Sequence, residues 1–326
     1  MASKPNPKKN SLVIQKYIDK YTGKKHYKHE TIYTIDPKDL ADICDFADYN
    51  KSKIFLCFYN FPAKKYDKMS IDDLYAFAEG STMFPHNKIH LNQDGLGFGI
   101  NACVPARNGI IDRALLNEIL SHELMHAYLV YNECLDGHIS HPNPSKRRKI
   151  DNKSKQQTNV KYTYTDKKDR YNDILLGIKN DKSIRDKFHW IGYSLVTDEI
   201  NATIAGVDAF LFEHNGDYKK LPECRSINMM KTIYDFLQEI ITSATDADWE
   251  YCREHALYIH KREKESLSRF KTRYLKYYKK QFEYFDTKVK KLVDKYKMKS
   301  AQKKILNKKL INNHIAKRFM DDMIVM

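Results

Sequence analysis

The sequence predicts an α+β fold, with a small sheet formed early in the chain and a largely helical remainder. Three observations predict it. The segment Lys53–Phe61 contains a continuous apolar run of strand length, and residues 88–104 alternate apolar and polar on both sides of Asp94-Gly95. From Ile110 to Tyr131 no Gly or Pro interrupts a pattern of apolar residues spaced by threes and fours. Beyond Pro222 the chain contains neither Gly nor Pro, and helical spacing recurs almost to its end.

Taken in order, Met1–Asn10 lacks the apolar stretch of a signal peptide, and residues 1–30 read as a basic N-terminal arm. Residues 31–255 form the expected main domain. Within it, 53–61 is a strand, Lys88–Asn92 alternates, Asp94-Gly95 signals a hairpin, and Phe98, Ile100, Ala102 and Val104 alternate again. The helix over 110–131 places Leu115, Leu116, Ile119, Leu120, Leu124, Ala127 and Tyr131 on its buried side. Residues 138–181 read as a polar insertion containing Ser145-Lys146-Arg147-Arg148-Lys149. Thr197–Phe210 reads as a second buried helix. Residues 256–326 read as a basic helical extension of two or three amphipathic helices, with stripes at Leu267, Phe270, Tyr274, Tyr277, Phe285, Val289, Leu292 and Tyr296 and again at Ile305, Leu306, Leu310, Ile311, Ile315 and Phe319.

A hydrophobic content of 42% with 12% aromatics argues against disorder. No apolar run approaches 18 residues, so no membrane-spanning helix is expected. Six scattered cysteines with no C-x-x-C pair suit reduced thiols in a cytoplasm. Charge is distributed unevenly. Residues 261–326 hold 21 Lys and Arg against 7 Asp and Glu, while the other 260 residues hold 36 against 35. Such a surplus points to nucleic acid, an acidic partner protein or an anionic surface. Tyr274, Tyr277, Tyr278, Tyr284 and Tyr296 interleave with the lysines and offer faces on which unpaired bases stack.

The first long helix carries His122-Glu123-Leu124-Met125-His126, an H-E-x-x-H pattern. Positions i and i+4 share a helix face, so both imidazoles can reach one metal, with Glu123 beside them to act on water. With 13 His and 14 Glu in 326 residues, about 0.02 such matches arise by accident, and the buried helical context lowers the odds further. Catalytic zinc needs a third protein ligand and an open position. Glu199 is the first candidate, because it shares its face with Ala202, Thr203 and Gly206, whose small side chains permit the close helix approach a bridging metal demands.

His122, Glu123, His126, and Glu199 with Ala202 resemble the gluzincin branch of the zincin metallopeptidases, which pair H-E-x-x-H with a Glu on a later helix, often as E-x-x-A. The resemblance covers those two helices. It implies Zn2+ held by His122, His126 and Glu199, Glu123 as general base, and a small sheet whose edge strand pairs with extended peptide; residues 88–92 or 96–104 are the expected edge. A second resemblance, to SprT-like and Spartan proteases, rests on His126-Ala127 followed by His138 or His141, which are the alternative third ligands. Those proteases repair DNA–protein crosslinks, and their third His usually precedes a Gly, whereas His138 here precedes Ile139 and His141 precedes Pro142. The metzincin pattern is excluded by Leu129 and Asn132. His189, Tyr193, His138 and Tyr164 are candidates for stabilising an oxyanion. The expected function is zinc-dependent hydrolysis of peptide bonds in a protein or peptide substrate. The alternative is a basic nucleic-acid- or assembly-binding protein, for instance of a viral or cellular particle, whose metal site is structural or inactive.

Overall fold

The computed structural model describes residues 3–22, 30–83, 97–135, 183–255 and 265–323. In chain order the elements are α1 (Pro7–Tyr21), β1 (Thr31–Thr34), α2 (Pro37–Ile43), β2 (Lys53–Phe61), α3 (Ala63–Tyr66), α4 (Ile71–Ala76), β3 (Glu79–Met83), β4 (Gly99–Arg107), β5 (Ile110–Ile111), α5 (Arg113–Leu135), α6 (Ile184–Ser194), α7 (Thr197–Glu213), a 3-10 turn at Tyr218–Glu223, α8 (Arg225–Ser243), α9 (Asp246–His255) and α10 (Leu267–Met323). The fold is α+β.

The sheet runs β1-β2-β4-β3, with β5 also on β4. β2 and β4 are parallel, in the register Leu56↔Ala102 and Phe58↔Val104, while β1 and β3 run antiparallel to their neighbours. Both faces of β2 are covered, which explains its unbroken apolar run. Ile54, Leu56 and Phe58, with Ile100, Ala102, Val104 and Ala106 of β4, meet Leu116, Ile119, Leu120 and Leu124 of α5. The opposite side chains, Cys57, Tyr59 and Phe61, pack with Phe77 and Cys103.

A second core is wholly helical. Ile191 of α6 and its C-cap Leu195, Val207 and Phe210 of α7, Ile233 and Leu237 of α8, and Trp249 of α9 pack with Phe270, Tyr274, Tyr278 and Phe285 of α10. Helix α5 contributes to both cores, through Ala114 on this side.

Four expectations need correction. Residues 7–21 are not part of an arm. They form a helix that starts at the Asn6 cap with Pro7 in its first turn, and Val13, Ile14, Tyr17 and Tyr21 sit in the sheet's core. The segment 96–104 is not an edge, because β4 is paired on both sides; among the described residues the outer strands are β1 and, beyond β4, β3, and residues 88–92 lie outside the described residues. The extension is one 57-residue helix instead of two or three, and its first turns are core, not appendage. Tyr274 and Tyr278 are buried, which removes them as stacking platforms. Tyr284 and Tyr296 are half-buried, and their hydroxyls bond α7 at Asn201 and Asp208.

Among the described residues, no helix is long and apolar enough to cross a membrane. Cys44, Cys57, Cys103, Cys224 and Cys252 are buried.

Because Phe270 is fully buried among the second core's aromatics, Phe270→Ala is expected to cost roughly 3–5 kcal/mol. Urea denaturation followed by circular dichroism measures this. A loss well under 1 kcal/mol would place α10 outside the core.

Candidate metal centre

Helix α5 presents two polar stripes at i, i+4 spacing. Arg113, Asn117 and Ser121 form one and anchor the helix to its neighbours. Asn117 Nδ2 donates to the Pro7 carbonyl at 3.0 Å and to Glu213 Oε1 at 2.8 Å. Arg113 reaches Glu213 Oε2 at 2.7 Å, and Asn10 donates to Ser121 Oγ at 2.9 Å. Glu118, His122 and His126 form the other stripe and face α7 and α8. The Glu118 carboxylate is fully enclosed, and burial pushes its pKa up. It accepts from the backbone N–H of Ser226 and Arg225 in the first turn of α8, where a carboxylate satisfies otherwise unpaired donors.

Helix α7 can come close because it is lined by small residues. A methyl group at Gly206 would stand 2.7 Å from Ser226 Oγ and 3.2 Å from Glu118 Cγ. Glu199 lies in the first turns of α7 and is buried. Its Oε2 is 3.5 Å from His122 Nε2 and its Oε1 is 3.4 Å from His126 Nε2. The two Nε2 atoms are 3.2 Å apart. Tyr284 and Tyr296 of α10, which bond Asn201 and Asp208, brace α7 from its far side.

His122, His126 and Glu199 therefore form a group that could hold a metal ion. The separations fit one. Three donors placed tetrahedrally at about 2.0–2.1 Å from a single ion stand roughly 3.3–3.4 Å apart, close to the 3.2, 3.4 and 3.5 Å found here. No Lys or Arg pairs with Glu199 among the described residues; its partners are the two imidazoles. Burial alone would push the Glu199 carboxyl up; hydrogen bonds from His122 and His126 outweigh it and hold the group well below the usual carboxylate range. Burial likewise pulls the His126 imidazole down, and the adjoining Glu199 carboxylate more than reverses this, leaving it above its ordinary value.

Glu123 is buried beside this group without belonging to it. It reaches the sheet, where Thr82 Oγ1 donates to its Oε2 at 2.6 Å. Thr82 was not legible in the sequence. His189 does not join the cluster; its Nε2 is 3.1 Å from the Tyr251 hydroxyl. Tyr193 is half exposed on α6. His138, His141 and Tyr164 lie outside the described residues, as does the basic run 145–149. No protein-family model, curated protein or solved structure matches the chain.

Removal of any one of the three donors is expected to weaken metal binding strongly. With free Zn2+ at about 100 times its dissociation constant, the wild-type chain should gain roughly 2.7 kcal/mol of unfolding stability. His122→Ala/His126→Ala and Glu199→Ala should gain little. Denaturation with and without added metal decides, and an equal gain in Glu199→Ala would remove that residue from the site.

Proposed function

We propose that the chain is a zinc metallopeptidase of the gluzincin kind, with Zn2+ held by His122, His126 and Glu199 and peptide bonds as its substrate. The observation that carries this reading is the convergence of Glu199, from a separate helix, on the two imidazoles of H-E-x-x-H. Two imidazoles and a carboxylate are a donor set used by catalytic zinc, and three protein donors leave one position open. When bound, zinc supplies Lewis acidity toward the scissile carbonyl and lowers the pKa of water.

The chain's own residues supply the rest. Glu123, adjacent to the donors but not one of them, takes the proton from water and delivers it to the departing amine. The low pKa of Glu199 keeps it a charged acceptor, available as a donor to metal without first losing a proton. Among the described residues strand β3 pairs with β4 alone, and its other edge is where this reading places an extended peptide. Glu79, Ser81 and Met83 along it are exposed.

Glu123→Gln is expected to lower kcat by about 10²–10⁴-fold while leaving metal content unchanged. A quenched-fluorescent peptide library, with elemental analysis alongside, tests this. Hydrolysis that survives the substitution undiminished would assign the base elsewhere.

A second reading is carried by α10. Its aromatic stripe is turned into the core, and Lys276, Lys279, Lys280, Lys290 and Lys291 remain exposed. We infer that this lysine face binds a polyanion, nucleic acid foremost, through phosphate charge and with little base selectivity. Because the first turns of α10 belong to the core, charge replacement is a better test than deletion. Changing these five lysines to Gln should flatten the dependence of log affinity on log salt by up to about 0.9 per lysine for duplex DNA, with stability unchanged. An unchanged slope in fluorescence anisotropy would leave this face merely solvated.

A further inference from the structure

Strand β3 meets Glu123 at two positions. Thr82 Oγ1 donates to Glu123 Oε2 at 2.6 Å and also lies 3.0 Å from the Glu123 carbonyl oxygen. Gly80, two residues earlier and on the same face of the strand, lies directly under the side chain. A methyl group at Gly80 would stand 2.7 and 2.8 Å from Glu123 Cγ and Cδ, and closer still to Oε1. The only positive-φ glycines among the described residues are Gly109 and Gly216. What requires glycine at 80 is therefore the close approach of Glu123, not an unusual backbone conformation.

We propose that Thr82 and Gly80 are positioning residues for Glu123, with Gly80 leaving room for the carboxylate against the strand and the Thr82 hydroxyl fixing one of its oxygens. The assignment rests on the peptidase reading above and extends it. A glutamate side chain has several rotatable bonds, and a base that must take a proton at one point and release it at another loses rate when those bonds are free. Thr82 occupies Oε2 with a charge-assisted hydrogen bond. Oε1 is then the oxygen left to accept the proton from water. The polar sequence Glu79-Gly80-Ser81-Thr82-Met83 is poor strand material, yet every second residue of it contacts Glu123. A role limited to joining β3 to α5 would need neither the missing side chain at Gly80 nor an acceptor on the carboxylate.

The test uses the full chain loaded with zinc, and the same chain metal-free. Thr82→Val is expected to lower kcat by roughly ten- to hundred-fold with KM nearly unchanged and metal content equal to wild type. Thr82→Ser keeps the hydroxyl and should restore most of the rate. Gly80→Ala, which must push the carboxylate aside, should resemble Thr82→Val. In the metal-free chain, Thr82→Val and Glu123→Gln should be non-additive in urea denaturation, because the two side chains are in contact. Wild-type kcat in Thr82→Val, equal losses in Thr82→Ser and Thr82→Val, or strict additivity in the metal-free cycle would each overturn the assignment. A wild-type chain that binds zinc and hydrolyses no peptide overturns the peptidase reading and the positioning role with it. The metal-free cycle then still reads the Thr82–Glu123 contact, so the two failures are distinguishable.

Discussion

A buried carboxylate placed between two imidazoles demands that two helices approach closely and stay there. Glu199 loses its hydration on entering the space beside α5, and the His122 and His126 nitrogens compensate for that loss. Much of the helical layer serves this approach. Gly206 lets α7 lie against Ser226 and Glu118. Glu118 in turn secures the first turn of α8, and Glu213 at the end of α7 is held by Arg113 and Asn117. Tyr284 and Tyr296 fasten the outer side of α7 to α10. Those of Glu118, Asn117, Tyr284 and Tyr296 are polar and at least partly buried, a context in which removing one partner leaves the other uncompensated.

The two site helices were legible in the sequence because their periodicity is clean and their chemistry local. Residues 110–131 were expected to be helical, and α5 spans Arg113–Leu135, its first expected turn being replaced by β5. Residues 197–210 were expected, and α7 spans Thr197–Glu213. The strand 53–61 was expected and is β2. Elsewhere composition hid structure. The lysines at 8, 9, 16 and 20 suggested an arm, yet they interrupt a buried stripe of Val13, Ile14, Tyr17 and Tyr21. β3 was missed because Glu79–Met83 holds a Gly and three polar residues; its strand conformation comes from pairing with β4, a tertiary cause no local pattern records. For the same reason Thr82 and Gly80 carry no signal in one dimension. Their significance exists only once α5 lies across the sheet.

The charge of the extension reflects a division between two faces of one helix. Phe270, Tyr274, Tyr278 and Phe285 face α6, α7 and α9, whereas Lys276, Lys279 and Lys280 between them face water. Apolar spacing and charge surplus were both visible in the sequence, but reading residues 256–326 as an extension of the main domain hid that the first turns of α10 are part of its core. Burying four aromatic rings binds this helix to the layer that carries Glu199. A polyanion on the lysine face would therefore contact the outer surface of an element whose inner surface supports the helix that carries Glu199.

The two carboxylates of the site are supplied with support from different layers. Glu199 belongs to the helical layer and is held by the imidazoles and by the packing of α7. Glu123 reaches the other way and is held by β3, through the Thr82 hydroxyl and the space above Gly80. Helix α5, which carries both histidines and Glu123, lies between the two cores and contributes side chains to each. On the peptidase reading proposed above, the base Glu123 and the third donor Glu199 thus keep their relative position only while both layers stay packed against the same helix. A slip of the sheet against α5 would free Glu123 without disturbing the His122–His126–Glu199 group, and a slip of α7 would remove Glu199 without disturbing Glu123. Metal affinity and rate constant should for this reason respond to different sets of core substitutions. Those on the helical side would be read first in metal retention, and those under β3 first in turnover.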